Sequence, residues 1–146
     1  MRHPNIIQLI GHTPTDRELI YILMEYFANG SLQSVIRNES FELPWLVRLN
    51  MAIDIAKSML YLHQNNILHR DLKSANVMVN EDKRVKLADF GESTETMSGK
   101  LTSQAGTWPY MAVELLSRKD LSYSKAVDVY SYGYVAILFN FLNFLT

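Results

Sequence analysis

Residues 44–64 carry Leu46, Leu49, Ile53, Ala56, Leu60 and His63 at helical spacing, behind a proline well placed for a first turn. This run constrains the fold more than any other stretch. It predicts one long helix from about Pro44 to Gln64, with those side chains recurring along it at helical spacing. A dozen or so residues later, "NVMV" (76–79) and "RVKLA" (84–88) flank the turn signature "NEDK", which reads as a small antiparallel hairpin. Upstream, "NIIQLIGH" (5–12) and "LIYILMEYF" (19–27) are split by "TPTDRE" and read as a second hairpin. Helix plus local hairpins make an α+β chain.

Shorter signals fill in the rest. "NGS" (29–31) punctuates, and Ser31 is placed to cap a short helix through Arg37. Residues 91–107 are rich in Ser, Thr and Gly without periodicity, so they read as a long loop, of a length that tends to be functional or mobile. From about Lys125 the pattern turns helical, with Val129, Tyr132, Val135 and Leu138 or Phe139 along one face. No charge follows Asp128, yet strong apolarity holds only from Tyr134 onward, so the segment reads as a buried helix and not a membrane span.

Composition narrows the function classes. The 146 residues carry a net charge of -1, which gives no sign of nucleic acid or anionic lipid as a main partner. There is no cysteine, so disulfides, thiolate metal sites and cysteine nucleophiles are excluded. A cytoplasmic setting is the expectation.

The chemistry concentrates in "HRDLKSANVMV" (69–79). Asp71 lies between the long helix and a hairpin, in a loop held by rigid elements. Its carboxylate can accept a proton or orient a hydroxyl. Lys73 sets a positive charge beside it, and Asn76 offers an amide oxygen, a hard ligand suited to Mg²⁺. Asp89, in "ADFGE", can converge on the same metal from the end of the hairpin. A base, a cation and a metal near one point describe phosphoryl transfer. Taken alone, Asp71 reads as a solvated loop charge and Asn76 as a turn residue; their joint occurrence with Asp89 reverses that reading.

"HRDLKSAN" followed by "DFG" resembles the catalytic and metal-binding loops of eukaryotic protein kinases. "HPNIIQLIG", "LIYILMEYFANGSL", "GTWPYMAVE" and "DVYSYG" match further segments of that family in the same order. The resemblance implies a partial protein-kinase fold over 1–146: residues 1–27 as the end of the N-lobe sheet and the hinge, residues 28–146 as a mainly helical C-lobe through helix αF, with an atypical tail at 139–146. It implies ATP and Mg²⁺ as cofactors and a Ser/Thr protein as substrate. Asp71 would be the catalytic base, Lys73 the contact to the transferred phosphate, and Asn76 and Asp89 the Mg²⁺ ligands. Met24 would be the gatekeeper, backbone groups of Glu25 and Phe27 would meet the adenine edge, and Met78 would be its floor. Arg70 would meet a phosphate on the activation loop, where Ser93, Thr94, Thr96, Ser98, Thr102 and Ser103 are candidates. Asp128 would brace the catalytic loop, and Leu9, His69 and Phe90 would pack.

Lys73 and Thr107 resemble the Ser/Thr type, and "MEYFANGSL" the tyrosine-kinase-like group. The match lacks a glycine-rich loop, a "VAIK"-type lysine and helices αG to αI. The expectation is therefore a kinase fragment inactive alone; the alternative is a catalytically dead kinase-like binding module or a gene remnant.

Overall fold

In a computed structural model of the chain, residues 2–14, 19–95, 106–116 and 124–141 are described. Ten elements follow one another: β1 (Leu9–His12), β2 (Ile22–Met24), α1 (Leu32–Arg37), α2 (Trp45–Gln64), β3 (Ile67–Leu68), β4 (Val77–Val79), β5 (Val85–Leu87), β6 (Thr94–Glu95), α3 (Val113–Leu116) and α4 (Lys125–Phe141). The strands form three separate antiparallel ribbons, β1–β2, β3–β6 and β4–β5. A two-stranded ribbon is marginal alone, so the helices hold the architecture together. It is α+β, as the sequence predicts.

The local signals act where expected. The Ser31 side chain accepts the Ser34 N–H at 3.2 Å, capping α1. Gly30 before it sits at φ +67, a conformation that glycine adopts without a Cβ penalty. Pro44 precedes the first residue of α2. In the β4–β5 turn the Asn80 side chain accepts the Arg84 N–H at 2.8 Å, and Lys83 N–H donates to the Asn80 carbonyl.

Packing buries a different face of α2 from the one that carries most of those periodic residues. Leu46, Leu49, Ile53 and Leu60 are exposed, while Met51, Ala52, Ile55, Met59 and Leu62 are buried. The helix is apolar on both sides, so periodicity alone does not select; contact with β5 and α4 does. There Met51, Ile55 and Leu62 join Leu32, Leu72, Val77, Val79, Val85, Leu87 and Val135 in one core. On this inner face Asp54 is fully buried and receives Arg84 Nε at 2.7 Å.

Helix α4 departs in the same way. Val127, Asp128, Ser131 and Val135 face inward, and the expected Val129 is exposed. Val129 lies about 200° round the helix from Val127. Tyr132 is partly buried and donates its hydroxyl to the Ala52 carbonyl at 3.3 Å. Phe139 and residues 142–146 of the expected tail lie outside what is described of side chains and backbone respectively.

The β1–β2 ribbon is tied to the core at its base. Leu87 donates to the Asn5 carbonyl at 2.8 Å and Ile7 to the Leu87 carbonyl at 2.8 Å. Lys86 of β5 bridges to Glu25, just beyond β2, at 2.6 Å. Leu9, Ile10, Ile22, Leu23 and Met24 remain exposed. The packing role expected of Leu9 is therefore not met: among the described residues nothing covers that face of the ribbon. The long-loop expectation for 91–107 is amended at Thr94 and Glu95, which pair with β3 as β6. Thr96, Ser98, Thr102 and Ser103 lie outside the described residues.

Candidate functional site

Asp71 stands on the loop between β3 and the helical turn Ser74–Asn76. One carboxylate holds that loop. Asp128 of α4 is buried, and it accepts the His69 N–H at 3.0 Å on Oδ2 and the Arg70 N–H at 2.9 Å on Oδ1. His63 Nε2 donates to the same Oδ2 at 2.8 Å. Arg70 sits at φ +70, a left-handed turn that needs such outside support.

His69 is fully buried and serves in one neutral tautomer. Its Nε2–H donates to the Ala88 carbonyl at 3.2 Å, and its Nδ1 accepts the Asp71 N–H at 3.3 Å. Its ring lies 5.4 Å from that of Phe90. Burial pushes the His69 pKa below the ordinary 6.5, against the opposing pull of Asp128, the Ala88 carbonyl, Asp71 and Asp89. His3 is lowered as well, by burial and by Lys57. The unfolded chain then takes up these protons first, so stability is present above pH 6.5 and falls as the pH drops below it. Thermal midpoints are expected to fall between about pH 7.5 and about pH 5.5, and less steeply in His69→Gln. A midpoint that holds or rises on acidification would contradict this.

The Asp71 carboxylate is surrounded by donors. Lys73 Nζ reaches Oδ2 at 2.6 Å, and Thr107 Oγ1 donates to Oδ1 at 2.8 Å. Lys73 Nζ also donates to Thr107 Oγ1 at 2.9 Å, closing a triangle. Asn76 Nδ2 donates to the Asp71 carbonyl at 2.9 Å and lies 3.2 Å from Oδ2. The short turn at Ser74–Asn76 is what brings positions 71, 73 and 76 to one point.

Both amide hydrogens of Asn76 face Asp71, so its oxygen is the end left for a cation. The Ala88 N–H donates to the Asn76 carbonyl at 2.8 Å, which sets Asp89 in the next position along. Asp89 is exposed, at φ +60, with Oδ1 accepting the Gly91 N–H at 3.3 Å. Among the described residues, no group of three or more His, Cys, Asp or Glu could hold a metal ion. An amide oxygen and one carboxylate suit Mg²⁺, which keeps waters and takes its other ligands from substrate phosphates. The donor set fits that ion.

The remaining predicted positions lie along the other ribbons. Met24 is exposed at the end of β2, and Met78 is half-buried on β4. The Glu25 side chain is occupied by Lys86 and by the Gln8 N–H at 2.7 Å. Glu25 N–H points to the Gln8 carbonyl, and the Phe27 carbonyl accepts Gly30 N–H at 3.1 Å. No backbone hydrogen bond among the described residues takes the Glu25 carbonyl or the Phe27 N–H.

The protein kinase domain family matches residues 1–144. The chain belongs to the protein kinase family. It is 41% identical over 139 residues to the probable serine/threonine-protein kinase drkA of Dictyostelium discoideum, covering 92% of this chain and 21% of that protein. It is 41% identical over 138 residues to the serine/threonine-protein kinase STY46 of Arabidopsis thaliana, covering 92% and 23%. It is 40% identical over 136 residues to the Arabidopsis serine/threonine/tyrosine-protein kinase HT1, covering 91% and 34%. The chain thus spans about a fifth to a third of the length of these relatives.

Within this kinase domain the structure adds residues that the sequence did not single out for the site. Thr107 marks a substrate class in the sequence; in the fold its hydroxyl binds both Asp71 and Lys73. His63 reads as a residue on a helix face, yet it meets Asp128 across the core. No local pattern links positions so far apart in the chain. Among the described residues, no helix is long and apolar enough to cross a membrane.

Proposed function

We propose that this kinase domain binds ATP with Mg²⁺ and transfers the γ-phosphoryl group to a serine or threonine hydroxyl of a protein. The observation that carries the reading is the triangle of Asp71, Lys73 and Thr107, with Asn76 closing its base. An ionised carboxylate has about four lone-pair sites, so Asp71 can accept a substrate hydroxyl beside the donors already on it. The hydroxyl oxygen forms a bond to the γ-phosphorus and passes its proton to Asp71. The bond from that phosphorus to the bridging oxygen breaks, and ADP leaves. The Lys73 ammonium sits where negative charge builds on the transferred group. Asn76 and Asp89 would hold Mg²⁺, which when bound offsets charge on the phosphate oxygens.

Met24, Met78 and the backbone of Glu25 and Phe27 would bound the adenine. The Lys73–Thr107 pair supports serine or threonine as acceptor, and the resemblance of "MEYFANGSL" to the tyrosine-kinase-like group supports a place among its Ser/Thr kinases. The net charge of -1 supports a protein rather than a nucleic-acid partner. A cysteine-free chain acting on ATP fits a cytoplasmic setting.

Calorimetric titration of ATP into the longest natural chain containing these residues tests the metal assignment. Asp89→Asn is expected to weaken Mg²⁺-dependent ATP binding about tenfold or more, and to leave metal-free binding unchanged. Equal Mg²⁺ dependence in the variant and the wild type would remove Asp89 from the site.

A further inference from the structure

The segment carrying Thr107 is latched to the catalytic loop at a second point. Tyr110 Oη lies 3.0 Å from Ser74 Oγ, in the turn between Lys73 and Asn76. The Tyr110 carbonyl accepts the Ser131 hydroxyl of α4 at 2.7 Å. Its ring meets Tyr134 of α4 edge-on, with centroids 5.0 Å apart. Its N–H donates to the Thr107 carbonyl at 2.8 Å. One residue therefore joins the catalytic loop, α4 and the backbone of Thr107.

The fit around it is close. Gly106 lies at φ +115, and a Cβ there would stand 3.2 Å from both the Arg70 carbonyl oxygen and Met111 Cγ. The cavity bounded by Arg70, Asp71, Thr107, Tyr110 and Ser131 amounts to about 10 Å³, near the minimum for one water. The segment has little room to shift without moving the Thr107 hydroxyl off Asp71.

We propose that Tyr110 is a positioning residue: through Ser74 and Ser131 it sets the Thr107 hydroxyl against Asp71 and Lys73. It acts through Thr107 and not by contact with nucleotide or acceptor. Its consequence for turnover rests on the kinase reading above; the latch itself does not.

The test is a double-variant cycle read by amide hydrogen exchange. Tyr110→Phe removes only the hydroxyl, and Ser74→Ala removes only its partner. Each is expected to speed exchange of the Asn76 and Met111 amides about fivefold, the size of one hydrogen bond. The double variant should exchange no faster than either single one, because both break the same contact. Amides in the middle of α2 should not change. Unchanged exchange at Asn76 and Met111, additive effects, or equal acceleration in α2 would each overturn the proposal. In an active wild type, Tyr110→Phe should lower kcat several-fold with KM for ATP unchanged. A wild type that transfers no phosphate would reject the kinase reading, while the exchange cycle still decides the latch.

Discussion

Asp71→Asn is expected to lower phosphate transfer by about 10²- to 10⁴-fold, the range that a positioned general base supplies. The amide keeps the size and shape of the carboxylate. It can still accept from Lys73 or Thr107 through its oxygen, so the loop should hold its form. What it lacks is a basic oxygen for the acceptor proton. Asp71 is held in the triangle with Lys73 and Thr107, and the proposed adenine contacts are Met24, Glu25, Phe27 and Met78, so ATP affinity should stay near the wild-type value. Measured kcat should carry the whole loss, with KM for ATP almost unmoved. A turnover within about tenfold of the wild type would take the role of base away from Asp71.

Asp128→Ala is expected to cost about 3–5 kcal/mol of stability. The carboxylate is buried and accepts from two backbone amides and a histidine. Its removal leaves the buried His69 and Arg70 amides without an acceptor, at about 1–3 kcal/mol for each group, while the partly exposed His63 can turn to water. The costs overlap, because the loop can relax once all three are released. The left-handed Arg70 loses the bond that fixes its amide. Asp128→Asn keeps one oxygen but places an NH₂ group against donors, so it should recover only part of the loss. Denaturant unfolding midpoints measure both. A change below about 1 kcal/mol for the alanine variant would show that the loop is held by other contacts.

What was legible in the sequence was local. Ser31 as a cap, Pro44 at a helix start and the "NEDK" turn each depend on neighbours within a few residues, and each took its expected place. The two hairpins were legible because a ribbon needs only two apolar runs and a turn between them. Faces were not legible. α2 offers an apolar stripe through Leu46, Leu49, Ile53 and Leu60, and another through Met51, Ile55, Met59 and Leu62. Only packing against β5 and α4 decides between them. The same holds on α4, where packing buries Val127 and Val135 and leaves Val129 exposed.

The candidate site was legible as a motif and not as a geometry. Spacing within "HRDLKSAN" could suggest that Asp71, Lys73 and Asn76 share a loop. It could not place the Thr107 hydroxyl on Asp71, 36 positions away in the chain. Nor could it show that Asp128 accepts from two successive amides of the loop, or that His63 shares that carboxylate. These are contacts between segments far apart in the chain, and no period or spacing encodes them.

The central claim is most directly tested by the fate of the terminal phosphate of ATP. The longest natural chain containing these residues would be given γ-labelled ATP and a mixed protein substrate, with Mg²⁺ present and with it chelated. Label is expected on serine or threonine, and only with Mg²⁺ present. Mg²⁺-ATP bound without any transfer, or label found on tyrosine alone, would contradict the claim.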